Sequence, residues 1–310
     1  MPQNQILVIR GGAIGDFILT LPVLAALRRQ FPQSRLDVLG YPHIAGLAVA
    51  GGLADDVKPI ESRALAGFFA RDGELARELQ EYFGSFAIIL SFLYDPDGVF
   101  QANVARCSRA QFIAGPHRPE DRAGVHATEV FLKPLERLAI FDADPVPRLA
   151  FDVSPSGVRP LALHPGSGSE RKNWPEPQWK ELIRVLAAET SLPLLLVGGE
   201  AEGERLNRLA QGMPSGRGEI LSCQPLPEVA RRLSACAAFV GHDSGISHLA
   251  AALGLPGIAL WGDTPAAVWR PRSERFQVVP ALGAGTSLSA LELVAAMRTL
   301  LVDGSERRLE

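Results

Sequence analysis

The sequence predicts an α/β protein with two domains, each built around a parallel β-sheet. Short apolar runs alternate with longer segments of helical periodicity, a pattern typical of consecutive β-α-β units. The alternation stops over the proline-rich residues 141–160 and then starts again. At 310 residues the chain is long enough for two domains with a core each. We therefore expect one domain over residues 1–153 and a second over residues 154–310.

The first half begins with a buried strand, "QILVIR" (5–10). A glycine-rich turn follows, and then a predicted helix through "FILTLPVLAALRRQF" (17–31). "LDVLG" (36–40) and "FAIILSF" (86–92) indicate further strands. "HATEVFLKPLERLAI" (126–140), with apolar residues three and four apart, is predicted to close this half as a helix.

The second half repeats the alternation. Its predicted elements, in chain order, are strand 161–165, helix 177–190, strand 193–199, helix 203–210, strand 218–221, helix 226–236, strand 237–241, helix 246–253, strand 257–262 and helix 287–302. Ligands of such sheets bind outside the carboxyl ends of the strands, and we expect the site in the cleft between the two halves.

The composition excludes several classes of protein. With 31 basic and 34 acidic residues the net charge is −3, so no overall basic field attracts nucleic acid. Cys107, Cys223 and Cys236 are far apart and form no Cys-x-x-Cys pair, which favours a reducing compartment without a zinc site. We find no signal-peptide pattern and no apolar run of membrane-spanning length, and expect a cytoplasmic protein. Peripheral contact with the inner face of the inner membrane is left open.

The turn "RGGAIGD" (10–16) joins the first strand to the first helix. Gly11, Gly12 and Gly15 do not have the G-x-G-x-x-G spacing, and Asp37 lies within a strand rather than beyond its end. Both observations disfavour a nicotinamide-dependent dehydrogenase. Asp16 has two interpretations: the N-cap of the helix, or a base at the carboxyl end of the first strand.

A second Gly/Ser-rich turn, "HPGSGSERKNW" (164–174), follows the first strand of the second half. Ser167 offers a hydroxyl, Gly166 and Gly168 allow a ligand to approach the backbone, and Lys172 supplies a positive charge. The turn is not a Walker A loop, because Gly-Lys-Ser/Thr is missing. A solvated loop and a phosphate site are both compatible with it.

The segment "GHDSGISH" (241–248) opens an apolar helix. Asp243 or Ser244 can cap the first turn, which is the commoner use of such residues. The alternative is an anion site, in which the amide of Gly245 and the positive helix end face a phosphate. His248 is expected to donate one hydrogen bond rather than to bind a metal, because His242 is six residues away.

The segment "DPD" (95–97) resembles the acidic pair that holds a metal in some sugar transferases. Pro96 and Gly98 describe a turn equally well. No His-Glu-x-x-His sequence and no Gly-x-Ser-x-Gly elbow is present. A metalloprotease or a hydrolase is therefore not supported. We expect no metal and no cofactor.

Taken together, three segments resemble the bacterial lipopolysaccharide heptosyltransferase family, glycosyltransferase family 9, in order and spacing. They are "ILVIRGGAIGDFILTLPVLAALRRQFP", "LHPGSGSERKNWPEPQW" and "FVGHDSGISHLAAALGLPGIALWGDT", and "HATEVFLKPLERLAI" also fits. The resemblance implies a GT-B fold, in which two Rossmann-like domains face each other across a cleft. It also implies inverting, metal-independent transfer of heptose from ADP-heptose to a lipopolysaccharide core acceptor.

The resemblance assigns roles to individual residues. Asp16 matches the catalytic base, in an acceptor-side loop with Gly12 and Gly15. The matching donor-binding residues are Ser167, Lys172, Asp243, Ser244, Gly245 and His248. Of these, Ser167 and Lys172 match the hydroxyl and the lysine that hold the donor diphosphate. We expect Asp243 to face sugar hydroxyls, because a carboxylate repels a diphosphate.

Two segments depart from the family pattern. "LYDPDG" (93–98) stands where the family often has Asp-Leu-Gln-Gly, which concerns the acceptor. "GDTPAA" (262–267) replaces the common Gly-Pro-Thr-Asp-Pro, which concerns the sugar or nucleotide pocket. Two alternatives therefore stay open: a sugar-nucleotide epimerase of similar shape, and a non-catalytic protein that binds a sugar nucleotide or a glycan.

Overall fold

The chain divides into two compact units, unit 1 (Met1–Pro145) and unit 2 (Val146–Glu310). The computed structural model describes residues 5–152, 157–281 and 288–306. The expected domain boundary, between residues 153 and 154, lies outside the described residues and stays a prediction. Within the described ranges, no helix combines the length and the apolar character that a membrane span requires.

Unit 1 is built on a five-stranded sheet in which every pair of neighbouring strands is parallel. The strands are β1 (Gln5–Arg10), β2 (Arg35–Gly40), β3 (Asp56–Pro59), β4 (Ile88–Ser91) and β5 (Gln111–Ala114), in the order β3-β2-β1-β4-β5. The α-helices are α1 (Ile14–Ile18), α2 (Leu21–Gln30), α3 (Pro42–Ala50), α4 (Arg77–Gly84), α5 (Val99–Ala105) and α6 (Ala127–Leu132), with 3₁₀ helices at Arg63–Phe69 and Lys133–Leu138.

The core of unit 1 explains why β1 is apolar along its length. Leu7 and Ile9 are fully buried and pack in one cluster with the rings of Phe68, Phe83 and Phe86. A parallel sheet covered on both faces needs such continuous apolar strands. Asp37 is the exception in β2: it is buried, and its carboxylate accepts a hydrogen bond from Arg35 Nε at 2.8 Å. Asp37 thus lies within the strand, as predicted.

Two helices predicted for unit 1 are shorter than expected. The segment 17–31 forms α1 and α2 rather than one helix, and Pro22 occupies the first turn of α2. Proline suits a first turn because it has no N–H to donate, and for the same reason it cannot continue a helix interior. The segment 126–140 forms α6 and then continues as a 3₁₀ helix that contains Pro134. The same missing N–H accounts for this change of helix type.

Unit 2 contains a six-stranded sheet, also parallel between all neighbours. Its strands are β6 (Leu161–Leu163), β7 (Leu194–Gly198), β8 (Gly218–Ser222), β9 (Ala238–His242), β10 (Gly257–Trp261) and β11 (Phe276–Pro280), in the order β11-β10-β9-β6-β7-β8. The α-helices are α7 (Glu176–Glu189), α8 (Gly203–Ala210), α9 (Leu226–Ser234), α10 (Gly245–Ala252), α11 (Ala266–Trp269) and α12 (Ala290–Glu306), with a 3₁₀ turn at Glu170–Lys172.

Every strand and helix that the sequence predicts for unit 2 is present. The sequence missed the short helix α11, the edge strand β11 and the 3₁₀ turn. The predicted first residue of the last helix, 287, lies outside the described residues. Read from β8, the strand order is 3-2-1-4-5-6, the order of dinucleotide-binding sheets.

In each sheet, successive strands are first added on one side of the first strand, and the order then reverses once, so that later strands are added on the other side. The reversal lies between β1 and β4 in unit 1 and between β6 and β9 in unit 2. Ligands of open parallel sheets bind at the carboxyl ends of the strands that flank such a reversal. The segments that follow these strands are therefore the first places to look for a site.

Candidate active site

Asp16 lies in the first turn of α1, directly after β1. It is the third residue of the helix, and its Oδ2 accepts a hydrogen bond from the Ala13 N–H at 3.0 Å. The interpretation of Asp16 as the N-cap was therefore wrong: Ala13 is the N-cap, and the carboxylate folds back onto it. Gly12 makes room for this arrangement. It has φ +100°, and a Cβ there would lie 2.9 Å from Asp16 Oδ2.

A buried guanidinium next to Asp16 was missed in the sequence. Arg10 Nη2 lies 3.8 Å from Asp16 Oδ1, and Nη1 donates to the His117 carbonyl at 2.8 Å. The guanidinium also lies 4.4 Å from the centroid of the Phe131 ring. Burial lowers the pKa of Arg10 to about 10, opposed by the charge of Asp16, so Arg10 stays positive at neutral pH. An arginine at the end of an otherwise apolar strand was the available signal.

We call residues 164–175, between β6 and α7, the Lys172 loop. Ser167 is buried in it and donates its hydroxyl hydrogen to the Ser169 carbonyl at 2.7 Å. Gly166 packs closely against Glu202. A Cβ at position 166 would lie 1.8 Å from Glu202 Oε1, so a residue with a side chain would not fit there. The loop is thus held by a hydrogen bond within it and by packing against Glu202. The role of Ser167 toward a diphosphate stays a prediction.

Lys172 and Asp243 form an ion pair with Nζ and Oδ2 2.6 Å apart. The same carboxylate oxygen accepts a hydrogen bond from the hydroxyl of Thr264. The Thr264 carbonyl in turn accepts one from Trp261 Nε1 at 2.6 Å. Thr264 belongs to the segment "GDTPAA", and its contact with Asp243 was not predicted from the sequence. That Asp243 faces sugar hydroxyls stays a prediction.

The helix α10 begins beside this ion pair. Ser244 is its N-cap, and Oγ of Ser244 accepts a hydrogen bond from the Ser247 N–H at 3.3 Å. The capping interpretation is therefore confirmed for Ser244. It does not exclude an anion site, because the amides of Gly245 and Ile246 have no acceptor within the helix and lie at its positive end. His248 is buried in the first turn of α10.

The acidic residues of "DPD" have structural roles. Asp95 caps α5, accepting hydrogen bonds from the N–H groups of Phe100 at 3.1 Å and Gln101 at 3.0 Å. Asp97 pairs with Arg71 at 3.5 Å. In the part of the chain that the structure describes, no three His, Cys, Asp or Glu side chains lie together as metal ligands. The expectation of a metal-free site stays a prediction.

Comparisons with known proteins agree with these observations. Residues 144–290, nearly all within unit 2, match the model of glycosyltransferase family 9 (heptosyltransferase). Lipopolysaccharide heptosyltransferase 1 of Escherichia coli K12 is 42% identical over 109 residues, which are 35% of this chain and 33% of that protein. That alignment spans about a third of the length of the curated relative. Lipopolysaccharide heptosyltransferase 3 of Escherichia coli is 23% identical over 84% of both chains.

Solved structures resemble the chain over nearly its whole length. A glycosyltransferase family 9 structure from Veillonella parvula has a TM-score of 0.79 at 16% identity and covers 98% of both chains. The structure of Escherichia coli heptosyltransferase WaaC with ADP has a TM-score of 0.77 at 22% identity and covers 96% of this chain and 99% of that one. The predicted fold class, two Rossmann-like parallel-sheet units of the GT-B type, is confirmed. Over residues 144–290 the chain is similar to glycosyltransferase family 9, the heptosyltransferase family.

Proposed function

We propose that this protein is an inverting, metal-independent glycosyltransferase that moves heptose from ADP-heptose to a lipopolysaccharide core acceptor. The observation that carries the proposal is the Lys172–Asp243 pair beside the start of α10, at the strand reversal of unit 2. Lys172 is the exposed partner of this pair, so its ammonium is accessible to an anionic donor. The family relatives include a heptosyltransferase structure with ADP, which supports this choice of nucleotide.

The proposal assigns the donor diphosphate to unit 2. Lys172 contributes a positive charge, and the amides of Ser244 and Gly245 together with the positive end of α10 contribute fixed dipoles. Asp243 holds Lys172 in place and, in this proposal, faces the sugar hydroxyls. His248, in the first turn of the same helix, and Ser167 complete the proposed donor site.

The proposal assigns proton transfer to Asp16 of unit 1. In a single displacement, an acceptor hydroxyl attacks the anomeric carbon while the bond from that carbon to the diphosphate oxygen breaks. ADP leaves, the configuration inverts, and Asp16 takes the hydroxyl proton. A carboxylate is a weak base for an alcohol, so the proton moves once the transition state has acidified the hydroxyl.

Metal independence follows from how the leaving group is stabilised. Negative charge grows on the departing diphosphate, and prearranged donors stabilise such charge most effectively. Lys172 and the amides that begin α10 provide donors of this kind without a metal ion. We expect transfer to continue in excess EDTA and to gain little from added magnesium. Loss of transfer on chelation that magnesium or manganese restores would contradict this part of the proposal.

The decisive experiment is a transfer assay with ADP-heptose and a lipopolysaccharide core acceptor. The donor is first chosen by thermal shift from a panel of ADP-, UDP- and GDP-sugars. We expect ADP release that depends on the acceptor, and a glycosylated product of inverted anomeric configuration by NMR. Nucleotide release without an acceptor would favour an epimerase, and binding without turnover would favour a non-catalytic protein.

The acceptor also determines where the protein would work. A core acceptor attached to lipid would place the protein in the cytoplasm, with peripheral contact at the inner face of the inner membrane. Cell fractionation tests this part: we expect the protein in the cytoplasmic fraction, with a membrane-bound share that high salt releases.

A further inference from the structure

The imidazole of His242 joins the two ends of the Lys172 loop. His242 is the last residue of β9 and is completely buried. Its Nε2 accepts a hydrogen bond from the Trp174 N–H at 2.7 Å, and its Nδ1 lies 3.1 Å from the Gly166 carbonyl oxygen. One side chain thus spans a loop segment whose ends are eight residues apart in the chain.

These two contacts fix the protonation state of the ring. An amide N–H can only donate, so Nε2 must accept and carries no proton. A carbonyl can only accept, so Nδ1 carries the proton and donates it to Gly166. Burial has the largest of several effects on the pKa of His242 and lowers it to about 3. The ring is therefore neutral at physiological pH. The Trp179 ring packs edge-on against it at 5.3 Å and holds its plane.

We propose that His242 is a positioning residue that closes the Lys172 loop at its base and so places the Lys172 ammonium before a nucleotide arrives. The next residue, Asp243, holds Lys172 itself at 2.6 Å. His242 and Asp243, at the end of β9, therefore hold the loop at two points. His242 holds its base, and Asp243 holds the Lys172 ammonium. A loop ordered in advance loses less conformational entropy when it binds.

Arg205 makes a weaker cross-contact to the loop. Arg205 donates to the Pro165 carbonyl at 3.3 Å and pairs with Glu170 at 2.8 Å. Glu170 is largely exposed, and exposed ion pairs contribute little to stability. The imidazole of His242 is buried and uses both nitrogens, so its removal leaves the Trp174 N–H without an acceptor in the interior. Such a loss is costly.

The first test measures amide hydrogen exchange in the ligand-free protein. His242→Phe keeps a ring but removes both hydrogen bonds, and His242→Gln keeps a side-chain acceptor for the Trp174 N–H. We expect Trp174 to exchange at least about tenfold faster in His242→Phe than in the natural protein, with much of the protection restored in His242→Gln. Unchanged exchange in His242→Phe would overturn the proposal.

The second test uses ADP calorimetry and rests on the proposed function. We expect His242→Phe to weaken ADP binding about tenfold when Lys172 is present, and less than about twofold in a Lys172→Ala background. Equal, independent effects in both backgrounds would show that His242 does not act through Lys172.

A matched control comes from unit 1. His126 is also buried and accepts a backbone hydrogen bond, from the Thr128 N–H at 3.3 Å. His126→Phe should lower the melting temperature and leave ADP affinity unchanged. If the natural protein binds no ADP while exchange at Trp174 responds as expected, the donor assignment fails and the loop closure stands. If ADP binds normally and exchange does not respond, only the role of His242 fails.

Discussion

The two cation–carboxylate pairs, Arg10–Asp16 in unit 1 and Lys172–Asp243 in unit 2, are built in opposite ways. In unit 1 the Arg10 side chain is 3% exposed and the Asp16 side chain 33%. In unit 2 the Lys172 side chain is 41% exposed and the Asp243 side chain 10%. The pairs differ in closeness as well, with nitrogen and oxygen 3.8 Å apart in the first and 2.6 Å apart in the second.

The difference shows which partner is available to a ligand. In each pair the buried member is fixed by further contacts: Arg10 by the His117 carbonyl, and Asp243 by the Thr264 hydroxyl. The exposed member is held in position but can still reach solvent. Unit 1 therefore presents a carboxylate, which suits a base, and unit 2 presents an ammonium, which suits a diphosphate. The proposed function needs these two charges.

The largest expected effect is on turnover, from Asp16→Asn. An amide cannot take the proton of the acceptor, so transfer should fall roughly 10²–10⁴-fold. Asn can still accept the Ala13 N–H, so the free energy of unfolding should stay within about 1 kcal/mol. Single-turnover transfer and a melting curve measure the two quantities.

An ADP titration of the same variant is the control. We expect unchanged affinity, because the residues proposed to hold ADP belong to unit 2. Near-normal transfer by a stable Asp16→Asn protein would leave the carboxylate with a structural role only.

The second effect is on donor binding, from Lys172→Ala. A hydrogen bond to a charged group contributes roughly 1.5–3 kcal/mol, and ADP affinity should fall by that amount. Asp16→Asn should show no such loss, which separates the two pairs. Calorimetry in which a folded Lys172→Ala variant binds ADP normally would remove Lys172 from the donor site.

The third effect is on the pH dependence of stability and comes from the buried histidine of unit 2. Burial lowers the pKa of folded His242 to about 3 from an ordinary value of 6.5, so the unfolded chain takes up the proton first. The neutral, buried His242 therefore contributes fully to the free energy of unfolding above pH 6.5. This contribution is lost as the pH falls from 6.5 toward 3. Between pH 7 and pH 5 the loss is roughly 2 kcal/mol.

Denaturant unfolding of His242→Gln at both pH values checks this expectation. Between pH 7 and pH 5, the free energy of unfolding should fall by roughly 2 kcal/mol less in the variant than in the natural protein. Burial also lowers the pKa of His164, so part of the pH dependence should remain in the variant. The pKa of Glu176 is lowered to about 2 by Arg208 and Lys180, so its contribution is lost only at lower pH. If the free energy of unfolding changes with pH by the same amount in both proteins, His242 is not neutral and buried in solution.

The fourth effect concerns the buried cation of unit 1. Arg10→Met removes the charge beside Asp16 but keeps an apolar chain against Phe131, and we expect turnover to fall about tenfold, equivalent to ~1.4 kcal/mol. Arg10→Lys should recover part of that loss, because it restores the charge. ADP affinity should stay unchanged in both variants. A turnover loss of equal size in both would indicate a packing role for Arg10.

The sequence predicts the sheets well and their edges poorly. Central strands such as β1 are buried on both faces and therefore appear as continuous apolar runs. The edge strand β3 has three partly buried residues and an exposed Pro59, and β11 is also incompletely buried. Each has one neighbour in its sheet, so neither needs a long apolar run. Both were missed, as was the edge strand β5, whereas the edge strand β8 was predicted from "GEIL".

The same distinction applies to the site. Asp16, Lys172 and Asp243 could be found because they follow strands in the chain, where parallel sheets bind ligands. Contacts between residues far apart in the chain could not be found in this way. Thr264 reaches Asp243 across 21 residues, and His242 reaches Gly166 across 76. Only the three-dimensional fold brings such residues together, and local sequence patterns do not encode the contact.

The smallest expected effect tests one of these distant partners. Thr264→Val keeps the shape of the side chain but removes the hydroxyl that donates to Asp243 Oδ2. Lys172 remains bonded to the same oxygen, so the pair should loosen rather than break, and ADP affinity should fall about threefold to fivefold. Thr264→Ser keeps the hydroxyl and should retain nearly all of the affinity. Because Thr264 belongs to unit 2, Asp16-dependent turnover at saturating donor should hardly change. If Thr264→Val lowers saturated turnover as strongly as donor affinity, the division of labour between the two pairs is wrong.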